Sequence, residues 1–132
     1  MTVARASGDK GFCDVLFGRI VRSRGACEGC GSTTDLQTAH ILGRTFSATR
    51  CLEANAFCLC ASEHARFTTH PDEWMTFVDD KIGMDEYLRL KHLALAGVVG
   101  LTSKTWWREE LVRLKARCVE LGLDPRRKVP SP

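Results

Sequence analysis

Two cysteines, Cys27 and Cys30, enclose a Glu-Gly pair in the segment ACEGCGS at 26–32. A two-residue gap in a glycine-rich turn lets both thiolates face one point, which is how a tetrahedral zinc ion is gripped. Redox pairs use the same spacing, but no thioredoxin-like alternation of strand and helix surrounds this one. Zinc needs further ligands, and CASEH at 60–64 is where they would come from. Cys60 is expected to end a strand, and Glu63 falls three residues on, in the first turn of a helix. Two positions at that spacing can converge on one ion, so Cys27, Cys30, Cys60 and Glu63 form the expected zinc set. Cys58 is the next candidate, because alternate strand positions put it on the same side as Cys60. Cys51 follows it, although core packing is the simpler expectation for both.

Three more side chains stand in a suggestive order. His40 lies near the end of one expected strand, Asn55 just before a second, and His64 on the helix that follows. Two short strands and a helix, closed by zinc, would bring all three together.

The elements that must do this positioning read as follows. A first helix is expected over 12–24, with Phe12, Leu16 and Ile20 on one apolar face and Arg19 and Arg22 on another. LQTAHI at 36–41 reads as a strand, a polar loop runs to Asn55, and AFCLC at 56–60 is a second strand leading into a helix near 61–68. Pro71 suits a first helical position, and Asp72 and Glu73 favour the positive end of a helix dipole, so another helix starts there and stops near Gly83. Two more follow, one over about 85–96 and one from Thr102 or Thr105. The last aligns Trp107, Leu111, Leu114, Cys118 and Leu121 on a stripe and is closed by Gly122 and Pro125. The fold class is therefore α+β. Its expected divisions are a flexible leader at 1–11, a zinc-bound core at 12–83, a helical extension at 84–122 and a basic tail at 123–132. The tail is expected to be mobile.

Composition narrows the partners. A 132-residue chain of net charge +3 is mildly basic, which permits a nucleic-acid partner without requiring one. No run of about 18 apolar residues is present, so no membrane partner is expected. The opening MTVARASGDKGF lacks the apolar centre of a secretory signal, which places the chain in a reducing cytoplasm. Seven cysteines there are not a disulfide framework. Cys13 and Cys118, on apolar helix patterns, read as core thiols.

Taken together, CEGC, AHILGR and NAFCLCASEHARF resemble the HNH endonuclease family, the ββα-metal or His-Me finger nucleases. Fourteen residues separate His40 from Asn55 and eight separate Asn55 from His64, as in that family. The preceding LFGRIVRSRGACEGCG is similar to phage-encoded recombination nucleases, some of which resolve branched DNA. The resemblance spans roughly 12–80. It implies a metal-dependent endonuclease that hydrolyses phosphodiester bonds in DNA, duplex or branched, in a host cytoplasm if phage-encoded. It implies structural Zn²⁺ and a catalytic Mg²⁺ or Mn²⁺. His40 would be the general base, since imidazole is mostly neutral at cellular pH. Asn55 would hold the loop and orient His40, and His64 would bind the catalytic ion.

Two departures stand out. Ala39 occupies the position where many members carry a further metal ligand, which His70 would have to replace if it is not simply a helix cap. Glu63 stands where the family commonly has its last zinc cysteine. Arg44, Arg50 and Arg66 flank the set and are candidates for phosphate contacts. The alternative function is a catalytically inactive zinc-binding module for nucleic acid or protein, in which His64 completes the zinc site. A structural assembly subunit is a third class.

Overall fold

A computed structural model describes residues 8–129. Along the chain come α1 (Gly8–Arg22), β1 (Leu36–His40), α2 (Ser47–Arg50), a 3-10 turn (Glu53–Asn55) and β2 (Ala56–Cys60). Four helices follow: α3 (Ala61–Thr69), α4 (Pro71–Ile82), α5 (Met84–Ala96) and α6 (Ser103–Glu120). The protein is thus α+β, mostly helical with one two-stranded antiparallel sheet. Among the described residues, no helix is long and apolar enough to cross a membrane.

Residues 1–7 of the expected leader lie outside the described residues, whereas 8–11 already belong to α1. Asp9 in its first turn faces the unpaired amide end of the helix, where a carboxylate is favoured.

Contacts divide the chain into two units, Val21–Val99 and a second built from 1–20 with 100–132. In the first, β1 and β2 pair with Leu36 opposite Cys60 and His40 opposite Ala56. All five residues of β2 are buried, as expected of a short continuous apolar run rather than an alternating one. Phe57 and Leu59 enter a core with Ile41, Leu42, Phe67, Val78, Leu90 and Ala94. Phe57, Phe67, Trp74 and Phe77 close it, with ring centroids 4.8–6.0 Å apart, within the range of favourable aromatic pairs. Leu90 and Ala94 bring α5 into this unit, packed on α2 and α4, so the core extends beyond the expected limit at residue 83.

The second unit is a helical one. Cys13, Leu16, Phe17 and Ile20 of α1 and Trp107, Leu111, Leu114 and Cys118 of α6 supply its buried side chains among the described residues. The Cys13 thiol donates to the Trp107 carbonyl at 3.5 Å. Thr102 caps α6 by accepting the Thr105 amide. Arg19 of α1 donates to the carbonyls of Asp124 and Arg126 in the expected tail, the latter at 2.7 Å.

Candidate functional site

The knuckle is made by backbone geometry. The Cys27 amide donates to Ser32 at 2.7 Å and the Gly31 amide returns to Cys27 at 2.8 Å, which folds the four-residue loop on itself. Gly31 sits at φ +81°, a left-handed backbone conformation that strains any residue with a side chain. Glu28 then docks the loop on β2: its amide donates to the Cys58 carbonyl at 2.8 Å and its carboxylate accepts the Cys58 amide at 2.6 Å. Arg24 ties the same corner to Glu28, Ala56 and Glu53. These two residues escaped the sequence reading, since nothing in their spacing marks them as partners of a strand.

This docking brings the sulfurs of Cys27, Cys30 and Cys60 within 4.8 Å of one another, with Cys30 and Cys60 at 3.6 Å. Four sulfurs around zinc at about 2.3 Å would lie roughly 3.8 Å apart. The residues present therefore fit a metal such as zinc. Burial opposes ionisation of Cys27, but amides of Cys60, Cys30 and Gly29 directed at its sulfur prevail and lower its pKa to about 7. A thiol so disposed reaches the thiolate form that binds metal. At exposed Cys30 the Ser32 amide favours the thiolate, but the neighbouring Cys60 and Cys27 sulfurs outweigh it and raise the pKa.

The expected fourth ligand stands aside. Among the described residues the compact donor set contains the three cysteines alone. Glu63 is paired with Arg66 at 2.9 Å, and it lies so close to Gly29 that a Cβ there would meet its oxygen at 2.9 Å. It borders the knuckle without joining the sulfurs. Cys58 and Cys51 are buried core residues outside the cluster, and burial raises the Cys58 thiol.

Across the sheet, His40 and His64 line one cleft of about 270 Å³, with Ala39, Phe67, Pro71 and Trp74 among its walls. Each imidazole has one nitrogen assigned by a partner. His40 Nε2 lies 2.8 Å from the Arg50 carbonyl, which can only accept, so Nε2 carries a hydrogen. His64 Nδ1 lies 2.8 Å from Gln37 Oε1, so Nδ1 carries the hydrogen and Nε2 the lone pair. Gln37 is on β1, and no sequence signal distinguishes it from any exposed strand residue.

Asn55 secures the loop between the strands. Fully buried, it accepts the Leu42 amide at 2.8 Å and donates to the carbonyls of Leu42 and Thr49 at 3.0 Å each. Its own carbonyl accepts the Ile41 amide and continues the strand pairing. It acts through the loop that presents the Arg50 carbonyl to His40.

The arginines divide. Arg50 is 7% exposed and donates to the Arg44 carbonyl at 2.8 Å, so it braces this loop and is not presented to a ligand as expected. Arg66 is exposed and bonded to Glu63 and Glu73, and the Glu63 hydrogen bond and the nearby carboxylates raise its pKa, so its guanidinium already has two carboxylate partners. Arg44 is exposed on the loop. His70 caps α3, its Nδ1 2.9 Å from the Arg66 carbonyl, so it adds no ligand to His64 here.

No protein-family model matches the chain, and comparisons with curated proteins and with solved structures find no match.

Proposed function

We propose that this protein is a metal-dependent endonuclease of the HNH type, hydrolysing phosphodiester bonds of duplex or branched DNA. The observation that carries the reading is the pair of complementary imidazoles in one cleft. Both rings line the cleft, and each is oriented by a bond at one ring nitrogen, His40 at Nε2 and His64 at Nδ1. Such a second bond is what fixes the tautomer of a base or a metal-binding histidine.

In this reading His40 Nδ1 takes the proton of a water attacking phosphorus, and the Arg50 carbonyl steadies the imidazolium that results. Asn55 keeps that carbonyl in place. A magnesium or manganese ion on His64 would supply electrostatic stabilisation of charge on the phosphate and the leaving 3′ oxygen. Zinc on Cys27, Cys30 and Cys60 would lock the knuckle to β2, with Glu63, which borders the knuckle, as a carboxylate for the fourth position.

The test is nicking of supercoiled plasmid by purified protein with magnesium or manganese. His40→Ala is expected to lower the rate by roughly 10²–10⁴, the usual contribution of a general base, with zinc content and melting temperature unchanged. His64→Ala is expected to abolish cleavage and weaken manganese binding. Retention of more than about a tenth of the rate in His40→Ala would discard His40 as the base. The alternative, an inactive zinc module, is favoured by Ala39, which offers no metal ligand beside His40. It predicts intact plasmid under both metals, and release of zinc from His64→Ala.

A further inference from the structure

A second cleft, lined by neither histidine, lies within the helical unit. It has a volume of about 490 Å³ and is lined by Phe12 of α1, Lys115 and Val119 of α6, and Pro125 and Arg127 of the following segment. Its floor is apolar and partly open: Phe12 is half-buried and Val119 is 66% exposed. Two cations stand over its aromatic side chain. The Lys115 ammonium stands 5.0 Å from the centre of the Phe12 ring and the Arg127 guanidinium 6.0 Å from it. Arg127 is also anchored, donating to the Gly8 carbonyl at 3.1 Å. Arg126, in contrast, is bound to Asp124 at 2.6 Å, so its charge is largely satisfied.

From this arrangement we infer that the cleft binds an unpaired nucleotide of single-stranded DNA. The inference rests on the nuclease reading for the choice of nucleic acid as partner, and extends it to the substrate class. The apolar surface of Phe12, Val119 and Pro125 suits a base, which must leave its partner to reach it and takes the place over the ring that the flexible Lys115 side chain holds. Lys115 and Arg127 suit the phosphates on either side. An aromatic platform flanked by cations is how proteins hold single strands, with stacking and charge as separate contributions. A duplex hides its base faces and gains the charge contribution alone. The proposed cleavage chemistry in the other unit would thus act on DNA with an unpaired segment, as at a branch or a frayed end.

The experiment uses the full chain loaded with zinc, without magnesium or manganese, and measures anisotropy of labelled oligo(dT) and of a duplex of equal length. Lys115→Glu is expected to weaken oligo(dT) binding about ten-fold or more, and Phe12→Leu, which keeps the apolar volume, by several-fold. Duplex affinity should change less than about two-fold in Phe12→Leu, since a hidden base cannot stack. Unchanged oligo(dT) affinity in both variants, or equal losses on the duplex in Phe12→Leu, would overturn the inference. So would displacement of oligo(dT) by poly-glutamate as readily as by unlabelled oligo(dT), which would assign the groove to acidic peptides. Plasmid cleavage is scored separately. Oligo(dT) bound at this cleft with no cleavage would sink the nuclease reading alone, while cleavage with oligo(dT) affinity unaffected by either variant would sink this one alone.

Discussion

Cysteines in the two units of this protein meet opposite environments. In the helical unit Cys13 is sealed between α1 and α6, and burial, followed by nearby Glu110, pushes its thiol up to about 12. In the knuckle, burial of Cys27 is overcome by three amides aimed at its sulfur, and its pKa falls to about 7. One residue type is a small core hydrophobe in one place and belongs to a sulfur cluster that could hold a metal in the other. Backbone amides make the difference. Helix interiors spend their amides on the helix itself, whereas a tight turn leaves several directed at one atom. The same contrast holds for the buried polar groups. Asn55, Thr49 and Arg50 are buried in the unit that holds the two histidines, in the loop between its strands, while the described core of the other unit is apolar apart from its thiols.

Removing the metal ligand should expose this contrast most strongly. Cys27→Ser is expected to lose zinc and, with it, amide-exchange protection around 26–34 and 58–64, because structural zinc contributes directly to folding. Protection over 108–118 should persist. Equal loss in both units, or retention of about one zinc per chain by metal analysis, would break the comparison.

A core truncation probes the other side. Leu114→Ala, at a fully buried site on α6, should cost about 2–5 kcal/mol by denaturant unfolding. Zinc content of the folded protein should not change. Loss of zinc in this variant would mean that the knuckle depends on the helical unit.

A smaller effect is expected at Asn55. Its replacement by Ala removes the side-chain partner of the Leu42 amide and carbonyl, while the Thr49 carbonyl keeps the Leu52 amide, at a cost of about 1–3 kcal/mol. Plasmid cleavage should fall with it, since the loop no longer holds the Arg50 carbonyl against His40. Stability within experimental error of wild type would show that the loop has other supports.

The smallest effect concerns Asp124. The Arg126 side chain bonded to it lowers its pKa from 3.8 to about 2. A depressed folded pKa stabilises above the ordinary carboxylate range and ceases to do so as pH falls through about 2. The pair is solvent-exposed, so a marginal effect on melting is expected for Asp124→Asn at neutral pH. Carboxyl NMR titration should find Asp124 at about 2, and a midpoint near 3.8 would show that the pair does not persist.

Local features of the sequence determined the α+β class, the strand-strand-helix order and the glycine-rich knuckle. Periodicity, a starting proline and a two-residue cysteine gap act within a few residues, so they can be read without knowing the neighbours. The convergence of Cys60 on Cys27 and Cys30 was also legible, because a strand end and a following helix leave few directions for its thiol. Tertiary structure alone decided which charges are available. Arg50 looked like any loop arginine until the loop closed over it, and Glu63 was taken by Arg66 one helical turn away. Arg19 found the carbonyls of Asp124 and Arg126 more than a hundred residues on. A guanidinium pairs with whatever acceptors the fold leaves within reach, and those acceptors come from segments that one-dimensional spacing does not bring together.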